Sequence, residues 1–290
     1  MLKKGLVLTN AISASEHDEK LFNEALDYLM QFDLSVIEFY TDEERARRFG
    51  DAVRDRGFEP IFLSGMDQKR NSKCRLCSEE EEQRRYSVDF MKRSIEKAIK
   101  SGAKRTLIQG GAYPADPKKE VLAMAALEKS LRELSDFSGK DIILLLEPCD
   151  RSVDMCQLIG PSMQAYSLFK KLSLPNVRLT MDVAHVTELF EEVGAALALC
   201  KPFCNHVHLA NCVLDTTSEL FGDKHPFFGA EKSCYSVAQS KDLYEEIKAI
   251  YGDDDVTVSM EMIGHDPEYM AYMQKLVDHV SWFFLKKEKA

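Results

Sequence analysis

No stretch of the sequence is apolar for long enough to cross a bilayer, which excludes a helical membrane span. The first residues, Met1-Leu-Lys-Lys-Gly-Leu-Val-Leu-Thr9, turn polar too soon for a secretory signal, so a cytoplasmic protein is expected. Positive charge is in deficit: the formal net charge is −10, which disfavours a broad nucleic-acid footprint. There is no linker or low-complexity segment, and residues 1–290 are read as one domain. A Gly-rich phosphate turn is missing after the first expected strand, where the chain runs Thr9-Asn-Ala-Ile-Ser-Ala-Ser15. That absence tells against an open dinucleotide-binding sheet. Cys74-Arg-Leu-Cys77 has no second CxxC to complete a zinc site. A surface loop with two free thiols is expected, with Cys200 and Cys204 as the alternative zinc partners. Tryptophan occurs once, at Trp282 beside Phe283 and Phe284; packing is expected there, and a homo-oligomer contact is the alternative.

Apolar residues make up 45% of the chain and charged residues 30%, enough for a sizeable core under a solvated surface. The eight cysteines suit a reducing compartment as free thiols. Strand-length apolar runs alternate with helical patterns throughout. Strands are expected near Lys4–Thr9, Leu34–Tyr40, Glu59–Ser64, Arg105–Gln109, Asp141–Glu147, Asn176–Asp182, Asn205–Ala210 and Val256–Glu261. Helices are expected over His17–Phe32, Asp42–Arg56, Glu80–Ser101, Lys118–Phe137, Pro161–Leu172, Glu188–Cys200, Val237–Tyr251 and Pro267–Phe284. Eight strand–helix units with Val/Ile/Leu-rich strands imply parallel pairing covered on both faces. At this length they imply a single closed (β/α)8 barrel, the TIM barrel.

Four of these runs close on a group that can bind a metal. They are Ile142-Ile-Leu-Leu-Leu-Glu147, Val177-Arg-Leu-Thr-Met-Asp182, His206-Val-His208 and Val256-Thr-Val-Ser-Met-Glu261. A carboxylate ending a buried apolar run is costly unless something pairs with it. In a (β/α)8 barrel all four groups would stand at one mouth, where catalytic groups gather. Three carboxylates and an imidazole suit one divalent cation: Mn, Mg, Co or Zn. His206 is expected to face away from the lumen and pack. His17 and His265 are expected at the surface. The Glu79–Glu82 run reads as the solvated start of a helix. The long segment from Asn211 to Cys234 exceeds an ordinary βα loop and is expected to fold over the strand ends as a lid.

The segments Glu147-Pro-Cys-Asp-Arg151, Asp182-Val-Ala-His185, His206-Val-His208 and the strand-eight Glu261 resemble the xylose isomerase-like TIM barrels, a superfamily of sugar isomerases and epimerases that also holds endonuclease IV. Resemblance to the ketose 3-epimerase branch implies that Glu147, Asp182, His208 and Glu261 hold one divalent metal. It also implies that Glu147 and Glu261 exchange protons with a carbohydrate substrate, and that His185 and Arg151 contact it. Asp223-Lys-His225 resembles the Asp-x-His of endonuclease IV, which joins the Asp-x-x-His histidine around an additional zinc. The corresponding trio here is His185, Asp223 and His225, either a second metal site, part of the substrate pocket, or a hydrogen-bonded loop anchor. Endonuclease IV also needs histidines at the ends of strands three and four, where this sequence has Ser64 and Gln109. The epimerases place an arginine after strand seven, where the nearest basic residue here is Lys224. A dehydratase or lyase of the superfamily, a nuclease and a non-catalytic metal-binding barrel remain the alternatives.

Overall fold

The computed structural model of the protein describes residues 1–264 and 269–287. His265 and the expected start of the last helix at Pro267 fall outside that range. Eight strands form the barrel: β1 (Leu2–Val7), β2 (Val36–Phe39), β3 (Glu59–Phe62), β4 (Arg105–Gln109), β5 (Ile143–Glu147), β6 (Val177–Asp182), β7 (Cys204–Leu209) and β8 (Val256–Met260). Each pairs in parallel with its sequence neighbour, and β1 pairs with β8 to close the ring. The helices are α1 (Leu8–Ala11), α2 (Glu19–Leu29), α3 (Ala46–Asp55), α4 (Gly65–Arg70), α5 (Glu81–Lys100), α6 (Glu120–Ser138), α7 (Ser162–Leu172), α8 (Val183–Glu188), α9 (Val193–Cys200), α10 (Val237–Tyr251) and α11 (Tyr269–His279).

Outward-facing strand residues pack beneath the helices. Phe39 and Phe62 meet edge to face, and Phe22 of α2 stacks on Phe49 of α3 at 4.1 Å between ring centroids. Each buried ring contributes about 2–3 kcal/mol by leaving water. Inward-facing residues form layers. At the N-terminal mouth Arg105 donates to Glu59 at 2.8 Å and to Thr257 at 3.0 Å, while Lys3 pairs with Glu59 at 2.7 Å. Above them Val36, Ile61 and Leu145 form a small apolar cluster in the lumen. The C-terminal layer carries Glu38, Glu147, Asp182, His208 and Glu261, all buried. Register sets that layer: Gln109 is level with Glu147, and Asp182 with His208.

The departures from expectation sit at the C-terminal mouth. Strand one ends at Val7, and Leu8–Ala11 coils into α1. Two further short helices were not anticipated, α4 and α8; each is too short for helical periodicity to show. Asp182 starts α8 as its cap, its Oδ1 accepting from the backbone N–H groups of Ala184 and His185. The CxxC thiols do not lie on a surface loop. Cys74 and Cys77 are both buried, and Cys77 donates to the Ala112 carbonyl at 3.3 Å. The loop before α5 folds under itself and makes them small apolar groups. Burial pushes the Cys74 thiol up to about 12 and the Cys77 thiol to about 11. Trp282 packs against Tyr244 and Phe283.

The lumen has little slack. A Cβ added at Gly5 would lie 2.3 Å from Ser259 Oγ and 3.1 Å from Val36 Cβ. Gly5→Val is therefore expected to destabilise the barrel by about 1–3 kcal/mol through overpacking, read as a lower urea midpoint. An unchanged midpoint would refute close packing at this layer.

Candidate metal centre

The four groups at the ends of β5 to β8 converge. One ligand atom from each of Glu147, Asp182, His208 and Glu261 lies within 4.8 Å of the others. His208 Nδ1 is 2.7 Å from Glu261 Oε2, 3.2 Å from Glu147 Oε1 and 3.8 Å from Asp182 Oδ2. Asp182 divides its carboxylate: Oδ1 caps α8, while the buried Oδ2 has no hydrogen-bond partner among the described residues. A buried carboxylate oxygen without a donor is unfavourable unless a cation meets it. That orphan atom, two further carboxylate oxygens and one imidazole nitrogen match the donor set of a divalent ion, so the residues present fit such an ion. Asn10 donates to Glu261 Oε1 at 2.6 Å and fixes that carboxylate.

The electrostatics follow from burial opposed by pairing. Burial pushes Asp182 up to about 6 against the pull of nearby His225, His185 and His208. Burial would also raise Glu261, but the imidazoles of His208 and His225 outweigh it and hold that carboxyl at about 2. For His208 burial acts downward, and the carboxylates of Glu261 and Glu38 overcome it, so the ring sits well above its ordinary range.

Glu38 was not anticipated. It lies fully buried on β2, accepting from His206 Nε2 at 2.8 Å and from His208 Nε2 at 3.2 Å. Its second contact leaves His208 Nδ1 facing the centre and fixes the ring plane, as outer carboxylates do for ligating histidines. The signal was present: Glu38 interrupts an apolar run, Leu34–Tyr40, as the other carboxylates end theirs. His206 corrects an expectation. It points into the lumen with His208, because residues two apart on a strand share a face.

A second cluster lies beside the first. The segment between Asn211 and Cys234 folds over the strand ends, and ligand atoms of His185, Asp223 and His225 gather within 4.8 Å of one another. Asp223 Oδ1 is 2.8 Å from His225 Nε2, and its Oδ2 is 2.7 Å from Lys69 of α4. His185 Nδ1 meets the buried Glu188 at 2.9 Å. His225 rises to about 10: burial opposes this, but Glu261, Asp182 and Asp223 prevail.

A cavity of about 220 Å³ stands over both clusters. Leu63, Met66, Leu107 and Ile263 give it an apolar wall, and Asn10, Ser13, Lys69 and Arg70 a polar rim. Lys69 and Arg70 were missed because α4 was. Arg70 is paired with Glu16 and stacks on Tyr40. At β3 Leu63 faces the cavity, while the Ser64 hydroxyl bonds to Ser94 and Thr106 on the outer side. Gln109, at the end of β4, lines the cavity. Arg151 does not join these groups. Its guanidinium donates to the Leu158 carbonyl and Gln164, both at 2.7 Å, and stacks on Tyr113.

Two outcomes follow from this geometry. Glu38→Gln keeps the shape but removes the charge behind His208, and affinity for Mn or Zn is expected to fall about 10–100-fold in a competition titration with a metal indicator. Equal affinity would reduce Glu38 to lumen packing. In chelator-treated protein, His225 adds stability because its folded pKa is raised. That contribution is full below its ordinary pKa of about 6.5 and is lost as pH rises towards about 10. The stability gap between wild type and His225→Gln, measured by urea unfolding, should therefore shrink across that window. A gap that grows with pH would contradict the assignment.

Residues 25–281 match the family described as xylose isomerase-like TIM barrel. No protein of curated function matches the sequence. Several solved structures are similar. The 3-keto-D-glucoside 4-epimerase of E. coli is 16% identical, with a TM-score of 0.67 over 98% of this chain and 99% of that one. D-psicose 3-epimerase of Clostridium cellulolyticum, solved with D-tagatose, is 14% identical, with a TM-score of 0.67 over 97% and 99%. A family 2 AP endonuclease of Brucella melitensis is 14% identical, with a TM-score of 0.65 over 97% of each chain. At these identities the likeness is one of fold. The match over residues 25–281 and the closed ring of eight parallel strands agree: the chain belongs to the xylose isomerase-like TIM barrel family.

Proposed function

We propose that this protein is a divalent-metal-dependent isomerase or epimerase of a small carbohydrate, folded as one domain over residues 1–290. The observation that carries the reading is the convergence of Glu147, Asp182, His208 and Glu261 around the orphaned Asp182 Oδ2. These four would hold one Mn, Mg, Co or Zn ion. Bound there, the ion would act as a Lewis acid on the oxygens of a hydroxy-carbonyl substrate. The cavity of about 220 Å³ is small among ligand sites and suits one sugar unit. Epimerases of a 3-keto-D-glucoside and of D-psicose among the similar folds are in keeping with this.

The chain's own groups supply the proton chemistry. Glu147 on β5 and Glu261 beyond β8 approach the centre from separated strands. One removes a proton from the carbon beside the carbonyl, leaving an enediolate, and the other returns it from the opposite face. The Asn10 hydrogen bond orients Glu261 for this step. The leucines and Met66 of the wall keep water from the carbon, while His185 and Lys69 face the substrate's hydroxyls. A dehydratase would use the same first proton abstraction.

The cluster of His185, Asp223 and His225 favours a second reading, in which it holds another cation and the protein cleaves abasic DNA. Against this stand the small cavity, the absence of histidine from the lumen ends of β3 and β4, and the net charge of −10.

The test has two parts. Metal content by mass spectrometry should show a divalent ion in the wild type after metal is supplied, and Asp182→Asn should lose it. In deuterated water a panel of ketoses should then contain one that gains deuterium at the inverted carbon. Glu147→Gln and Glu261→Gln should each lower that exchange at least about 100-fold, compared at equal metal content. Exchange on no sugar, together with incision of abasic-site DNA, would replace this reading with the nuclease.

A further inference from the structure

Two thiols stand where the lid meets the barrel. Cys212 opens the segment after β7, and Cys234 closes it before α10. Their sulfurs are 3.7 Å apart, and Cys234 N–H donates to the Cys212 carbonyl at 2.9 Å. The next pair inward, Val213 and Ser233, forms an antiparallel bridge. The two cysteines are thus directly opposite on a two-stranded stem, where Cα atoms lie about 5.5 Å apart, inside the span a disulfide bridges. Asn211 holds the stem. Its side chain, in a fully buried residue, donates to the Phe227 and Tyr235 carbonyls and accepts from the Cys212 and Tyr235 N–H groups. The backbone is therefore already in position, and joining the sulfurs needs only side-chain rotation.

We propose that Cys212 and Cys234 form a thiol–disulfide exchange site that small disulfides convert to a covalent ring enclosing Asp223 and His225. The two thiols have different roles. Cys234 is half-buried, whereas Cys212 is buried. The hydrogen bond from Cys212 lowers the Cys234 thiol to about 7, against the effect of burial. The same contact and burial push Cys212 up. Cys234 is the attacking thiolate. It bonds to one sulfur of oxidised glutathione as the S–S bond of the reagent breaks, and one glutathione leaves as thiolate. Cys212 then gives up its proton and attacks Cys234 Sγ, and the second glutathione departs. The two protein thiols are oxidised, and one glutathione disulfide is reduced to two thiols. Once formed, the cross-link restricts the open loop and so favours the closed lid.

The experiment treats the reduced full-length protein with oxidised glutathione and maps the products by mass spectrometry. The exposed Cys156 becomes glutathionylated and reports that the reagent is active. The expected result joins the Cys212 and Cys234 peptides with loss of two hydrogens, reversed by dithiothreitol. Cys212→Ser should stop at a stable glutathione adduct on Cys234, and Cys234→Ser should leave Cys212 untouched. A modified Cys156 without the cross-link, a persistent adduct on wild-type Cys234, or a cross-link between other cysteines would each overturn the proposal. Should Cys212→Ser fail to fold, the wild-type map alone decides.

Discussion

Charge buried in the lumen is the constraint on which the upper half of this barrel depends. Glu38 answers it across the ring. It sits on β2 and bonds to His206 and His208 on β7, a strand that is not its neighbour. Burial would raise Glu38, and the two imidazoles instead hold it well below the usual carboxylate range. His206 receives less from its surroundings, and burial keeps it below its ordinary value. The charge on Glu38 therefore favours one ring orientation for His208. The nitrogen that His208 turns towards Glu147, Asp182 and Glu261 is thus held in place from the far side of its ring.

The same device appears twice. Glu188 stands behind His185 as Glu38 stands behind His208, and both carboxylates are fully shielded from solvent. The two histidines differ in what they face. His208 looks towards three carboxylates, and His185 towards Asp223 and His225 on the lid. The first set is fixed by strand register and the second by a segment folded over the strand ends. A site assembled partly from a lid combines a rigid floor with a wall whose position depends on the Asn211 stem.

Much of this was legible in the chain because the barrel repeats. Eight apolar runs with eight helical patterns leave little choice of architecture, and a carboxylate at the end of such a run is visible without coordinates. What was not legible had short range or long reach. The helices α4 and α8 are six residues each, too brief for a periodic signal. With α4 went Lys69 and Arg70, which reach the cavity from it. Arg151 was placed by resemblance, but Tyr113 and Gln164 take its guanidinium instead. Cys74 and Cys77 looked like loop thiols because polar neighbours surround them in sequence, whereas the fold places them beneath Gly111 and Ser87. His206 needed only the two-residue period of a strand applied consistently.

Asp182 gives the two clusters a common hinge. One oxygen holds the first turn of α8, which carries His185, and the other reaches the floor of the site. The two oxygens of one carboxylate tie the start of the helix that carries His185 to the ligand groups at the strand ends. Loss of the side chain at this one position would therefore remove a support from both clusters at once.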